Sequence, residues 1–117
     1  MTIQEIITHV KGRIVVGAHH ENDEIEFAFA SDLMSDVLTI TSSHSHKLML
    51  ITGLCNVQTI RTAEMSDIKV ILFVRNKKVT DEMIELAEEN EMVLIETSLS
   101  MFRTSGILFN LGIQPLY

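Results

Sequence analysis

Three stretches decide the fold: Lys47-Leu48-Met49-Leu50-Ile51-Thr52-Gly53, Val70-Ile71-Leu72-Phe73-Val74 and Met92-Val93-Leu94-Ile95-Glu96. Each is a short, near-continuous apolar run, the pattern of a strand buried on both faces of a sheet. Helical spacing fills the gaps between them. Asn56 starts a helix to about Asp67, with Ile60, Ala63 and Glu64 marking its turns. Thr80 caps another from Asp81 to Asn90, and Asp81 and Glu82 occupy the first turn, where the helix dipole favours acids. Ser98 or Ser100 opens a last helix to about Leu111, ended by Gly112. Strand–helix repeated three times implies a parallel sheet with right-handed crossovers.

Working outward, Thr2–Val10 reads as a short helix capped by Thr2, with Ile3, Ile6, Ile7 and Val10 on one face. Arg13–Gly17 is a β-branched strand, and Ala18–Asp23 a polar loop. A further strand starts at about Glu26 and ends at Ala30. Ser31 or Asp32 then caps a short helix through about Leu38, and Ser42–His46 is a polar turn. These N-terminal strands extend the sheet or pack beside it. The expected architecture is one α/β domain over residues 1–117, a three-layer α/β/α arrangement with a mainly parallel sheet.

Composition narrows the function. The 117 residues are 46% hydrophobic with mean hydropathy +0.24, and the aromatic content is five Phe and one Tyr. The core must therefore be built from Ile, Leu, Val and Met, including Met34, Met49, Met65, Met83, Met92 and Met101 as filler. A surplus of apolar residues on a small domain points to a subunit interface, and so to a homodimer. The net charge is −7 and the nine basic residues form no run. Nucleic-acid and anionic-membrane binding both need a positive patch, so neither is expected. No apolar run is long enough to span a bilayer, the start at Met1-Thr2-Ile3-Gln4-Glu5 lacks a signal-peptide pattern, and a single cysteine, Cys55, excludes an intrachain disulfide. A reduced cytoplasm fits these features.

In open parallel sheets ligands bind beyond the carboxyl ends of the strands. Three loops lie there: Thr52–Asn56, Arg75–Lys78 and Thr97–Ser100. Gly53 permits close backbone approach, and the helix after it offers free N–H groups to an anion. Arg61 lies a turn and a half into that helix, and Arg75 ends the adjacent strand. The candidate ligand contacts are Gly53, Asn56, Arg61 and Arg75, with Thr97 and Ser98 as secondary ones. The competing reading is structural: Gly53 makes a turn, Asn56 and Ser98 cap helices, and the arginines are solvated. The phosphate-loop and dinucleotide glycine patterns are both absent.

Other chemistry-bearing residues carry less. His19-His20 and His44/His46 come in close pairs, and His44 and His46 are the weak candidates for metal ligands; Glu21 and Asp23 could add oxygens to the first pair. No second ligand cluster at a fixed spacing supports a metal, and the residues leave any cofactor unknown. Cys55, after a glycine turn at a helix N-terminus, would have a lowered thiol pKa there, but no base or orienting group accompanies it; a small buried residue is the simpler reading. Asp32 and Asp36, one turn apart, could share a cation, though a cap and a solvated carboxylate explain them as well.

Ala30–Leu38, then Leu50-Ile51-Thr52-Gly53, then Ile71–Val74 and Ile95-Glu96-Thr97 resemble the DRTGG domain, over roughly Gly12 to Gly112. Ile51–Asn56 followed by Arg61–Met65 is similar to the short stand-alone DRTGG proteins encoded near iron-only hydrogenase genes. The literal string Asp-Arg-Thr-Gly-Gly is absent, and only Thr52-Gly53 echoes its end. The resemblance implies a fold like the N-terminal domain of HPr kinase/phosphorylase. It also implies a dimerising or sensing unit rather than a catalyst. Kinase activity does not carry over, because the chain has no phosphate loop. The leading expectation is a non-catalytic regulatory module binding a small anionic or nucleotide-like ligand, or a protein partner, at the strand carboxyl edge. The alternative is an accessory or maturation factor for a metalloenzyme, using His or Cys to hold metal. A third reading, an enzyme using Asp32, Asp36 or Cys55, has no assembled constellation behind it.

Overall fold

The computed structural model describes residues 1–40 and 47–116. The predicted turn at Ser42–His46, with His44 and His46, lies outside the described residues.

The chain forms an α/β fold with a six-stranded mixed sheet and five α-helices among the described residues. In order they are α1 (Ile3–Val10), β1 (Arg13–Val16), β2 (Phe27–Ala30), α2 (Met34–Val37), β3 (Leu48–Thr52), α3 (Val57–Met65), β4 (Val70–Phe73), α4 (Asp81–Glu89), β5 (Val93–Glu96), α5 (Met101–Asn110) and β6 (Gln114–Pro115). The strand order is β1-β5-β4-β3-β2-β6. β3 pairs in parallel with β2 and β4, β5 with β4, and β6 with β2, while β1 lies antiparallel to β5.

The three quoted runs are the sheet's centre, and every residue of β3, β4 and β5 is buried. Strand alternation sends Leu48, Leu50, Ile71, Phe73 and Leu94 to one face, where α2, α3 and α4 add Met34, Val37, Ile60, Ala63, Met83 and Ala87. Met49, Ile51, Leu72, Val93 and Ile95 go to the other face, against Ile3, Ile6, Ile7 and Val10 of α1 and Leu108 of α5. Each large aliphatic or aromatic side chain so buried contributes about 1.5–3 kcal/mol.

Helix starts follow side-chain chemistry. Thr2 and Glu5 form a reciprocal capping box on α1. Asn56, Thr80 and Ser100 cap α3, α4 and α5, accepting from Thr59, Met83 and Arg103 backbone N–H groups.

The structure corrects four expectations. Asp32 does not cap α2; its start at Leu33 has no side-chain cap, and Ser31 Oγ instead accepts from Leu33 N–H at 3.0 Å. Asp32 is turned the other way, toward β3. Residues 18–20 form a single 3₁₀ turn rather than plain loop. Met65, expected as core filler, is 71% exposed at the end of α3. The strand β6 was not foreseen: it is two residues long and contains Pro115, which an edge strand tolerates and sequence periodicity does not register.

Candidate functional site

The carboxyl ends of β2, β3, β4 and β5 meet along one edge, and the connections there carry the polar side chains. Thr52 ends β3 and Gly53 follows it, both buried. Asp32, just beyond β2, reaches across to them. Its Oδ1 accepts from Gly53 N–H at 2.6 Å and from the Thr52 hydroxyl at 3.1 Å. Its Oδ2 faces Arg75 Nη2 at 3.4 Å. The Arg75 guanidinium lies directly over Gly53, where a side chain of any size would displace it. The glycine makes room for this close approach; its own backbone angles do not call for one.

Arg75 is set in place by an uncommon backbone. Arg75 and Asn76 are both left-handed, with φ of 62° and 60°. Their N–H groups donate to Leu99 O and Thr97 O, which ties the β4–α4 connection to the β5–α5 connection. Consecutive left-handed residues other than glycine store strain, of order 1 kcal/mol or more each.

Beyond β5 the edge changes character. Glu96 is buried, 4% exposed, at the end of an otherwise apolar strand. Its carboxylate accepts from Arg13 Nε at 3.0 Å and from Val79 N–H at 2.6 Å, with Lys78 Nζ at 3.8 Å. A hollow of about 260 Å³ opens over it, rimmed by Lys11, Arg13, Asn76, Lys78 and Ser98.

Not all the sequence-derived candidates share this edge in the same way. Gly53 and Arg75 come together around Asp32. Thr97 is buried, and its hydroxyl donates to Val10 O at 2.6 Å and accepts from Leu99 N–H, so its oxygen is engaged structurally. Ser98 is exposed in the Glu96 hollow. Asn56 Oδ1 is taken by Thr59 as the α3 cap. Arg61 lines a separate shallow hollow against Glu82, Glu85 and Glu89 of α4. Asp36 is exposed and caps nothing through its carboxylate.

Cys55 departs from its expectation. Burial, and then the nearby Glu96 charge, push its thiol up to about 11, against a weaker opposing pull from Lys77. Its Sγ donates to Lys78 O at 3.4 Å. Burial of this kind disfavours the thiolate, the nucleophilic form of the side chain. His20 Nδ1 pairs with Asp23 Oδ2 at 2.7 Å and its ring packs on His19 at a 4.2 Å centroid separation. No group of three or more potential ligands clusters among the described residues.

The sequence reading missed Lys11, Arg13 and Glu96. The signal available was a lone acidic residue closing the apolar run Met92–Ile95, which must find partners if buried. The partner Arg13 lies 83 positions away and no local pattern connects the two.

In open α/β sheets of this kind, the carboxyl-terminal strand edge is where ligands commonly bind. The fold is similar to that in the crystal structure of the CBS and DRTGG domains of the regulatory region of Clostridium perfringens pyrophosphatase, complexed with its activator, diadenosine tetraphosphate. The TM-score is 0.70 at 14% identity, over 92% of this chain. The chain spans about 45% of the length of that structure. No family model and no curated protein matches the sequence. No helix among the described residues is long and apolar enough to cross a membrane.

Proposed function

We propose that this chain is a non-catalytic regulatory module with a three-layer, mainly parallel fold of the DRTGG and HPr kinase/phosphorylase N-terminal type. It senses a small anionic or nucleotide-like ligand at the strand carboxyl edge. One observation carries this reading: the backbone N–H of Gly53 already holds a carboxylate, that of Asp32, with the Arg75 guanidinium lying across it. A cradle that binds an internal anion has the donors to bind an external one. An effector anion would take the place of Asp32 and keep Arg75, whose planar fork suits phosphate or carboxylate. Asp32 sits between β2 and α2, so its release would loosen the segment leading into α2. That change is one a partner domain can read. The similar pyrophosphatase region, crystallised with a nucleotide activator, supports this choice of ligand class.

Dimerisation belongs to the same reading. Phe102 and Phe109 of α5 are 90% and 66% exposed and lie seven positions apart, on one side of the helix. They are candidates for burial against a second copy, which sedimentation of wild type and a Phe102→Ser, Phe109→Ser double variant would test.

The ligand test is a thermal-shift screen with nucleotides, dinucleoside polyphosphates, acyl phosphates and carboxylates. At least one is expected to raise the melting temperature. Arg75→Ala is expected to weaken that ligand about tenfold or more, the worth of one charged hydrogen bond. A melting temperature that none of them moves would refute the small-ligand reading.

A further inference from the structure

The Glu96 hollow is a different kind of place from the Gly53 cradle. Three cations, Lys11, Arg13 and Lys78, stand around one carboxylate, leaving a surplus of two positive charges. The chain as a whole carries −7, so three of its nine basic residues are gathered against the general trend. Glu96 does not consume their donors. Arg13 gives it only Nε, and Lys78 approaches no nearer than 3.8 Å. Among the described residues the Arg13 terminal nitrogens, Lys11 Nζ, the Asn76 amide and the Ser98 hydroxyl have no partner. Glu96 has both oxygens occupied and is buried, so it works as an anchor that fixes Arg13 at the rim.

From this arrangement we infer a second anion site at the carboxyl end of β5, for a compact phosphate monoester. The reasoning is charge and size. A dianion matches the surplus of two positive charges. An arginine fork beside two ammonium groups suits a phosphate, which offers oxygens in three directions. At about 260 Å³ the hollow is below the roughly 300–1,000 Å³ typical of drug-sized ligands. It suits a small phosphorylated metabolite better than a dinucleotide. The one carboxylate of the floor, Glu96, has both oxygens already accepting hydrogen bonds. The inference rests on the reading of this edge as ligand-binding, but uses residues that reading did not.

The test is amide chemical-shift mapping of the full chain titrated with glycerol 3-phosphate, inorganic phosphate, succinate and diadenosine tetraphosphate. Glycerol 3-phosphate is expected to give saturable shifts at Lys11–Arg13, Asn76–Lys78 and Ser98. Arg13→Ala and Lys78→Ala are each expected to weaken it about tenfold, while Lys69→Ala, whose ammonium is engaged with Asn90 O, leaves it unchanged. Wild-type affinity in both rim variants would mean an adventitious ion only and overturn the proposal, as would succinate binding as tightly as the phosphates. Shifts confined to Gly53, Leu54 and Arg75 would overturn it while leaving the Gly53 reading intact. A spectrum unmoved by every anion would overturn both.

Discussion

Asp32 and Glu96 stand at opposite ends of the same strand edge, and each carboxylate meets a backbone N–H at 2.6 Å and an arginine. They differ in exposure: the Asp32 side chain is 45% exposed, that of Glu96 4%. An exposed carboxylate can be exchanged for a ligand at modest cost, because water and solute ions compete for its partners. A buried one cannot, since removing it strands donors that have no water to turn to. One edge thus holds a half-exposed internal anion at Gly53 and a buried anchor at Glu96, with unspent cations around the anchor only.

Glu96→Ala should have the largest effect. It leaves Val79 N–H unpartnered and frees Arg13, and is expected to lower unfolding stability by about 3 kcal/mol in urea titrations. Glu96→Gln, which keeps an acceptor, should fall between. A cost below that of the Asp32 variant would reverse the comparison. Asp32→Ala should cost about 2 kcal/mol, since it removes the acceptor for Gly53 N–H and Thr52 Oγ1, but in a place that water reaches. Gly53→Ala should cost about 1 kcal/mol or less, because the added methyl only displaces the end of a flexible arginine and breaks an exposed ion pair. Its sharper readout is loss of Arg75-dependent ligand binding.

At neutral pH the smallest stability effect concerns Cys55, which lies between the two regions. Its thiol is raised from 9.0 to about 11, so the folded chain keeps a proton that the unfolded chain loses. Stability is then flat below pH 9 and declines as pH rises from about 9 to 11. Cys55→Ser should remove that decline. At pH 8 iodoacetamide should alkylate native Cys55 at least about tenfold more slowly than the unfolded chain, and equal rates would contradict its burial.

The central strands and four of the helix caps were legible because their causes are local. Apolar runs of strand length and a Ser, Thr or Asn ahead of a helical pattern state their own structure, as at Leu48–Thr52 and at Asn56, Thr80 and Ser100. The candidate site was half legible. Gly53 and Arg75 could be placed on one edge by the parallel-sheet rule. That Asp32 would leave the helix start it sits beside and bind Gly53 could not, because a capping site and a strand-end amide attract the same carboxylate. The antiparallel placement of β1 also escaped the sequence, since a short β-branched run pairs equally well in either direction.

By itself, then, the sequence determined the α/β class, the buried strands, most helix starts and the unsuitability of a phosphate loop. Periodicity, capping and composition are properties of neighbours along the chain. The tertiary structure alone decided the anion-filled cradle and the cationic hollow. Both depend on side chains from distant segments meeting at one edge: Asp32 with Gly53 and Arg75, and Lys11 and Arg13 with Lys78 and Glu96. Such meetings are set by strand order, and strand order follows from how two helical layers cover one sheet.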